Sequence, residues 1–325
     1  MSVIKERLQN LRQAIHRLGA NAFYCTLSDA HLSEYIQEAD KFLTYLSGFT
    51  GSNAQLIVTD NQALLWTDSR YWEQACQELE GSDIILMKEG AEAVAAPHEW
   101  LKSQSGLACV VLCTALESVS QITFKKLKES VSAVVDFRPS DIDNLWPDRP
   151  HRTINGLYIH HASSVSAHDK LKRLQSYLQS LDDFADTDSL LLTRLDDIAW
   201  LANLRGSDIE FNPVFLSWAL VTKQEACLFI HLQALTEEIA LHLQNAGWRV
   251  LPYESLETKL TEKNGLIWAR EEDLNAKIFT LIQNRFKPCK HPVALWKAVK
   301  TPEEIAGLKE VMKADGQALE DFIEE

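Results

Sequence analysis

Hydrophobic positions along the chain follow a helical spacing in some segments and a strand-like pattern in others, and the two kinds of segment alternate. Residues 3–18 have hydrophobic side chains three and four positions apart, which predicts an amphipathic helix. The run AFYCT at 22–26 is dense in β-branched and aromatic residues and predicts a strand. Helical and strand-like segments then alternate through both halves of the sequence. This alternation predicts an α/β fold in which helices are layered on a sheet.

Two hairpins are predicted at corresponding places. AQLIVTD and ALLWTDSRY pair across Asp60-Asn61, and residues 215–230 form a second strand pair. TYLSGFTGS at 44–52 predicts a turn-rich loop before the first hairpin, and the similar AWLANLRGS at 199–207 precedes the second. The second copy has eight extra residues, DIEFNPVF at 208–215. Because the order of helix, Gly-Ser turn and hairpin is kept, we interpret the two halves as a duplicated domain.

The boundary between the two copies is predicted from a change in composition. NLWPDRPHR at 144–152 contains two prolines and two arginines, which is typical of a connecting segment. We therefore assign residues 1–150 to the first domain and residues 151–298 to its duplicate. The remaining residues, 299–325, are assigned to the start of a third element.

VALWKAVK at 293–300 predicts a strand, and the residues that follow it predict a helix with a hydrophobic stripe. Thr301 is a typical N-cap, Pro302 fits the first helical position, and Glu303 and Glu304 complement the helix dipole. A stripe of this kind must pack against a partner. Since little sequence is left to supply that partner, we expect the chain to be a fragment that ends inside the first helix of a further domain.

Charge and hydropathy exclude several classes of protein. The formal net charge of −14 argues against nucleic-acid binding, which needs a basic surface. No hydrophobic run reaches the roughly 18 residues that cross a bilayer, and the N-terminal segment lacks the hydrophobic core of a signal peptide. We therefore expect a cytoplasmic protein without nucleic-acid or membrane partners.

The cysteines are scattered, without a CxxC pair, so buried reduced thiols are expected, with a zinc or redox site as the alternative. They are Cys25, Cys76, Cys109, Cys113, Cys227 and Cys289. The adjacent His160-His161 point to different sides of the backbone and favour packing over a metal pair. The aspartates of 182–189 favour a solvated loop. No HExxH, GxSxG, GxGxxG or phosphate-binding loop is present, so no catalytic residue and no metal ligand is assigned.

A polar cluster, Asp68-Ser69-Arg70-Tyr71, stands where a predicted strand gives way to a helix. Two interpretations are open. Asp68 or Ser69 caps the helix and Asp68 pairs with Arg70, which is a structural role. Alternatively, Arg70 projects beyond the strand end and binds an anionic or carbonyl group of a ligand, since arginine is a fixed bidentate donor.

A second polar cluster is LRGSDIEFNPVF at 204–215. Arg205 and Asp208 flank a Gly-Ser turn, and Asn212-Pro213 marks another turn. One interpretation is a loop locked by an Arg205–Asp208 ion pair. The other is the rim of an interface or of an active site.

Four segments resemble those of the cytosolic Xaa-Pro aminopeptidases, the three-domain form of aminopeptidase P within the creatinase/prolidase metallopeptidases. LDDIAWLANLRGSDIEFNPVF at 195–215 resembles the signature of their second domain, and residues 45–75 resemble their first domain. NLWPDRP at 144–150 resembles their interdomain segment, and residues 299–319 resemble the opening of their catalytic domain. The resemblance covers essentially the whole chain in order.

The resemblance implies two tandem creatinase-type N-terminal domains, each a mixed sheet flanked by helices, followed by the first helix of a truncated pita-bread catalytic domain. In this family, two divalent metal ions, usually manganese, are held by two Asp, one His and two Glu of the catalytic domain. This sequence departs from the family because none of those ligands occurs in it. We therefore expect no metal in the 325-residue chain, which should be inactive alone.

The resemblance also implies a function for the parent protein: a hydrolase that removes an N-terminal residue preceding proline. The arginine of the family's D-x-R-Y motif reaches toward the peptide substrate, and its match here is Arg70. In the family these domains restrict access to the cleft and support a homodimer. The alternative is a catalytically inactive protein-binding module like the histone-chaperone relatives. Such a module is expected to carry long acidic tracts, whereas the run at 182–189 is short.

Overall fold

The computed structural model describes residues 3–104 and 110–324 of the chain. The chain divides into two compact units. The first consists of Met1–Thr153 and Glu271–Gln283, and the second of Ile154–Arg270 and Asn284–Glu325. Thus a segment that the sequence analysis placed in the second domain belongs, by its contacts, to the first unit. None of the helices in the described ranges is long and apolar enough to cross a membrane.

The N-terminal stretch of the first unit forms one mixed six-stranded sheet with helices. Its described helices are α1 (Val3–Arg17), α2 (Phe42–Ser47), α3 (Trp72–Glu78), α4 (Pro97–Ser103), α5 (Gln121–Ser130) and α6 (Pro139–Leu145). Its described strands are β1 (Ala22–Thr26), β2 (Gln55–Thr59), β3 (Ala63–Thr67), β4 (Ile84–Lys88), β5 (Val111–Thr114) and β6 (Ala133–Asp136). The strand order is β4-β3-β2-β1-β5-β6. Only the pairs of β2 with β1 and with β3 are antiparallel.

The alternation of side chains along the central strands buries both faces of this sheet. Phe23 and Leu65 point into one hydrophobic layer, which also receives Leu11 of α1. Tyr24 and Trp66, their neighbours in sequence, point into the layer on the opposite face. Helices therefore cover the sheet on two sides, as the alternation of elements in the sequence predicts.

The second unit repeats this architecture. The elements described after Thr153 are β7 (Tyr158–Ile159), α7 (Ala167–Gln179), β8 (Ser189–Leu192), α8 (Leu195–Ala202), β9 (Leu204–Arg205), β10 (Ser217–Val221), β11 (Ala226–Ile230), α9 (Glu237–Ala246), β12 (Arg249–Pro252), α10 (Leu256–Glu262), β13 (Ile267–Ala269), α11 (Ala276–Ile282), β14 (Phe286–Pro288), α12 (Val293–Ala298) and α13 (Pro302–Glu324). The strand order is β12-β11-β10-β8-β13-β14. Each strand has the neighbours and directions of its counterpart in the first sheet. The predicted fold class is confirmed.

The duplication extends to single residues. Helices α2 and α8 both end on a left-handed residue, Gly48 with φ 77° and Asn203 with φ 49°. In the two hairpins, the backbone N–H of Thr59 donates to the Gln62 carbonyl, and that of Thr222 donates to the Glu225 carbonyl, both at 2.8 Å. Equivalent sequence positions thus adopt equivalent backbone conformations.

Helix α11 is the segment that returns to the first unit. The Leu274 carbonyl accepts a hydrogen bond from the Gln121 backbone N–H at 2.8 Å, and the Ala276 N–H donates to the Val119 carbonyl at 2.8 Å. The Asn275 side chain donates to the Ala30 carbonyl at 2.7 Å. These bonds satisfy backbone groups at the start of α5 and at the start of α11.

Three helices differ from the sequence-based assignments. VALWKAVK was predicted to contain a strand but contains helix α12. The predicted loop at 44–52 begins inside α2, and α6 precedes the proline-rich boundary where no helix was predicted. The N-cap of α13 at Thr301 is confirmed, because its hydroxyl accepts from the Glu304 N–H at 3.2 Å while its own N–H donates to the Glu304 carboxylate at 2.8 Å.

The cysteines are free thiols where they are described. Cys25, Cys113 and Cys227 are buried and Cys289 is half-buried, but Cys76 is exposed on α3, contrary to the expectation of uniformly buried thiols. Cys109 lies outside the described residues.

Candidate functional site

The polar cluster at the end of β3 is organised around Asp68. The Arg70 guanidinium donates through Nε to Asp68 Oδ1 at 2.8 Å and through Nη2 to Oδ2 at 3.0 Å. The Arg70 backbone N–H adds a bond of 3.1 Å to Oδ1, and Asn53 Nδ2 donates to Oδ2 at 2.7 Å. Donation from Arg70, then from Asn53, holds the pKa of Asp68 well below its ordinary value. The paired Asp68 carboxylate in turn raises the pKa of Arg70.

The structure decides between the local roles considered for this cluster. Helix α3 has Tyr71 as its N-cap residue and no side-chain cap, so neither Asp68 nor Ser69 caps it. The Asp68–Arg70 pair does form. The Arg70 side chain nevertheless remains 61% exposed. Among the described residues none accepts from its Nη1, so the guanidinium is fixed in direction and keeps a free donor edge.

The Gly-Ser turn before β2 packs against Tyr71 of this cluster. The Tyr71 hydroxyl and Ser52 Oγ are 2.7 Å apart, and the Tyr71 ring meets the Phe49 ring edge-on at 5.9 Å. A Cβ on Gly51 would lie 2.3 Å from a Phe49 ring carbon and 2.8 Å from a Tyr71 ring carbon. Only glycine fits at position 51, because the backbone there runs directly beneath both rings.

The second polar cluster, 204–215, is held differently from the predicted ion pair. Asp208 accepts from the backbone N–H groups of Asn155 at 2.7 Å and of Leu216 at 2.9 Å. Burial raises the pKa of Asp208, and these two bonds oppose that shift. Arg205 instead donates through Nη1 to the carbonyls of Ala199 at 3.2 Å and Leu204 at 2.9 Å. The Arg205–Asp208 pair is therefore wrong, and Asp208 fastens the loop through backbone groups.

Arg205 lies in the wall of a cleft of about 470 Å³ in the second unit, together with His160, Trp200 and Pro213. Burial is the main cause that lowers the pKa of His160, and the positive charges of Arg205 and Lys170 lower it further. Lys170 and Trp200 were not predicted from the sequence as residues of this site. The duplication could have singled out Trp200, because it aligns with Tyr45. A cation lies over each of these two rings: Lys170 is 4.2 Å from the centre of the Trp200 ring, and Arg7 is 3.9 Å from the centre of the Tyr45 ring.

Within residues 3–104 and 110–324, no group of three or more His, Cys, Asp or Glu is arranged to hold a metal ion. The described side chains therefore do not fit a dinuclear metal centre.

Comparison with known proteins identifies both units. The creatinase/prolidase N-terminal domain family matches residues 7–145, and a second family of the same description matches residues 148–304. A probable Xaa-Pro aminopeptidase P of Laccaria bicolor is 31% identical over 97% of this chain and 50% of its own length. Its namesake in Aspergillus clavatus is 32% identical over 98% of this chain and 50% of its own length.

A solved structure shows the same architecture. The X-prolyl aminopeptidase of Caenorhabditis elegans, described as a cytosolic enzyme with a di-nuclear active site, superimposes with a TM-score of 0.86 at 27% sequence identity. The match covers 95% of this chain and 54% of the nematode protein. The chain thus spans about half the length of the relatives that it matches. Both of its compact units are accounted for by one kind of domain, and the chain consists of two consecutive creatinase/prolidase N-terminal domains followed by the helix α13.

Proposed function

We propose that this chain is the N-terminal, non-catalytic part of a metal-dependent aminopeptidase that hydrolyses the bond between an N-terminal residue and a following proline. The observation that supports the proposal is the match of relatives bearing that name along 97–98% of the chain. The chemistry would belong to the half of those relatives that this chain does not span. A cytoplasmic location is part of the proposal, because the matching nematode protein is described as cytosolic.

The substrate class requires a dedicated site. The peptide bond before proline is a tertiary amide without an N–H. A peptidase that needs a hydrogen bond from the N–H of the scissile bond therefore does not bind it productively. We propose two divalent ions, manganese in particular, as cofactors of the whole protein. Such a pair supplies an activated hydroxide and polarises the carbonyl that it attacks.

Arg70 is the residue of this chain that we propose to contact the peptide. Asp68 holds its guanidinium by two parallel bonds, so little side-chain freedom is left to lose on binding. The exposed Nη1 edge suits a carbonyl or carboxylate oxygen of the peptide backbone. The aromatic support from Tyr71, whose ring centre is 5.2 Å from the guanidinium carbon, further restrains this side chain.

The direct test of the proposed function is hydrolysis of a short Xaa-Pro-Pro peptide with added manganese. The longer protein encoded by the uninterrupted reading frame is expected to release the first residue of the peptide. The 325-residue chain alone is expected to release none. Activity in the shorter chain would show that a catalytic site lies among residues interpreted here as structural. Absence of activity in both would favour the peptidase-like binding module.

The Arg70→Ala variant of the longer protein is expected to raise KM for tri- and tetrapeptides about 10-fold, with the metal content unchanged, since the charge-assisted hydrogen bond to the peptide would be lost. Steady-state kinetics and metal analysis measure the two effects. Arg17→Ala removes an exposed arginine of α1 and serves as the matched control. Unchanged kinetics in Arg70→Ala would contradict the proposed role.

We also propose that these domains restrict entry to the catalytic cleft and support a homodimer. Both rest on the family resemblance. The decline of kcat/KM with increasing peptide length tests the first, and the mass of the longer protein by light scattering tests the second. Equal hydrolysis of long and short peptides, or a monomeric mass, would contradict them.

A further inference from the structure

An asparagine is followed by a glycine at two places in the chain, Asn155-Gly156 and Asn264-Gly265. In such a pair the backbone nitrogen of the glycine is able to attack the side-chain amide carbon of the asparagine, because glycine has no side chain to shield that nitrogen. Both pairs lie in the second unit, outside its helices and strands. The structure nevertheless gives the two asparagines different surroundings.

The amide of Asn155 is held by the loop at 204–215. Its Nδ2 donates to the Ser207 carbonyl at 2.5 Å, and the Asn155 backbone N–H donates to Asp208 Oδ1 at 2.7 Å. The residue is half-buried. The bond to Ser207 must break before the side-chain carbon can turn toward the nitrogen of Gly156. The fold therefore protects Asn155 from this reaction.

Asn264 has none of these restraints. It is exposed in the short link between α10, which ends at Glu262, and β13, which begins at Ile267. Within the part of the chain that the structure describes, no group forms a hydrogen bond with the Asn264 side chain or with the Gly265 N–H. The amide carbon and the nitrogen that would attack it are therefore both free to react.

Close packing requires the glycine of this pair. A Cβ at position 265 would lie 2.2 Å from the Thr187 carbonyl oxygen and 2.8 Å from the Asp188 nitrogen. Both contacts are to backbone atoms, so no other residue fits there. The packing of Gly265 thus keeps a reactive neighbour beside Asn264.

We propose that Asn264 is a site of spontaneous modification, at which the side-chain amide is lost and the attachment of β13 is weakened. The Gly265 nitrogen forms a bond to Asn264 Cγ, and the amide nitrogen leaves as ammonia with the proton that the Gly265 nitrogen gives up. Water then opens the cyclic imide. Its attack at Cγ gives aspartate with the original main chain, whereas its attack at the main-chain carbonyl carbon gives isoaspartate, in which the chain runs through the side chain. This proposal is independent of the proposed peptidase activity.

The isoaspartate product adds a carbon atom to the main chain where both ends of the link are anchored. Before the pair, Arg285 donates to the Lys263 carbonyl, and after it the Leu266 N–H donates to Asp188 Oδ1 at 2.9 Å. Strand β13 pairs with β8 directly after this link. The longer link is therefore expected to disturb that pairing and to lower the stability of the second unit.

Incubation of the native 325-residue chain at mildly alkaline pH, followed by peptide mapping with mass spectrometry, tests the reaction. Water enriched in oxygen-18 labels the conversions that occur during the incubation. Asn264 is expected to be converted at least about 10-fold faster than Asn155, whose hydrogen bonds must break first. In concentrated urea the two are expected to react at similar rates, because glycine follows both. Equal rates in the native chain, or a difference that persists unchanged in urea, would overturn the proposal.

Two variants separate the added charge from the added carbon atom. Asn264→Gln is expected to stop the reaction, because the longer side chain closes the ring far more slowly. Freshly prepared Asn264→Asp carries the new charge on a normal main chain and is expected to unfold in urea like the fresh wild type, since position 264 is exposed. After incubation, the wild type is expected to unfold at a lower urea concentration than equally incubated Asn264→Gln. Equal unfolding of these two chains, with Asn264 converted in the wild type, would overturn the proposed weakening of β13.

Discussion

Replacement of Lys297 by methionine is expected to lower the free energy of unfolding of the second unit by about 3–5 kcal/mol, the usual cost of stranding a buried charge. Lys297 Nζ donates to Asp197 Oδ1 at 2.7 Å and also contacts the Asp196 carboxylate. The Asp197 side chain is only 1% exposed, and within the described ranges its Oδ2 has no hydrogen-bond partner. Without Lys297, the buried carboxylate would lose its compensating cation.

Urea unfolding measures this loss, and hydrogen exchange assigns it to α8 and α12. Lys313→Met is the matched control, because its pair with Glu310 is exposed on both sides and should contribute less than about 1 kcal/mol. Adding Asp197→Asn to Lys297→Met is expected to recover part of the stability, since the stranded group is then neutral. A loss below about 1 kcal/mol in Lys297→Met would contradict the assignment of a buried ion pair.

Raising the pH from 7.5 to 10.5 is expected to stabilise the wild-type chain relative to Lys170→Met by about 3 kcal/mol, since one pKa unit corresponds to about 1.4 kcal/mol. Burial lowers the pKa of Lys170 to about 8, and the nearby Glu304 and Arg205 act in opposite directions. In the unfolded chain the pKa of lysine is about 10.4. Between these two values the unfolded state holds one more proton, so the free energy of unfolding rises with pH.

The comparison with Lys170→Met isolates this group from other groups that titrate in the same range. Buried Cys25 and Tyr24 have raised pKa values and make an opposite contribution, but they are common to both proteins. Denaturant unfolding at several pH values measures the difference. Lys172→Met, on the exposed side of the same helix, is expected to show no such pH dependence. A wild-type advantage that stays constant or falls as the pH rises would contradict the lowered pKa of Lys170.

Much of each sheet was predictable because the strands are marked by hydrophobic runs and by the turns that bound them in the local sequence. The hairpin of β2 and β3 combines two hydrophobic, almost fully buried strands with a short polar turn, and its duplicate at β10 and β11 repeats both features. The order of helix, turn and hairpin therefore predicted the duplication. The parallel neighbours of β1 and β8 were not predictable, since those pairs join segments far apart in sequence.

The missed helices are short and depend on tertiary contacts. VALWKA combines Val293 and Trp296, which favour strands, with Ala, Leu and Lys, which favour helices, so its sequence alone does not decide between the two. In the structure Val293 is buried, Trp296 is half-buried, and Lys297 is anchored to α8. These tertiary contacts decide the conformation of a helix of only six residues. In α2, Gly48 was interpreted as part of a turn. Its N–H donates to the Thr44 carbonyl at 2.8 Å, so the glycine ends a helix.

The two polar clusters also differ in how far the local sequence could predict their contacts. The Asp68–Arg70 pair joins residues two positions apart, so local sequence was enough to raise it. Asp208 binds the Asn155 N–H from a segment 53 positions away, and nothing in the local sequence indicates that partner. The role of Arg70 toward a peptide stays a prediction.

The return of α11 to the first unit also affects how the chain is made. Residues 271–283 leave the ribosome only after most of the second unit's sequence has emerged. Until then the Gln121 N–H and the Val119 carbonyl at the start of α5 lack the partners that Leu274 and Ala276 supply. Domains generally fold as they are synthesised, starting from the N-terminus. Here, however, the first domain is completed late, so the folding of the two domains is coupled through the order in which their parts are translated.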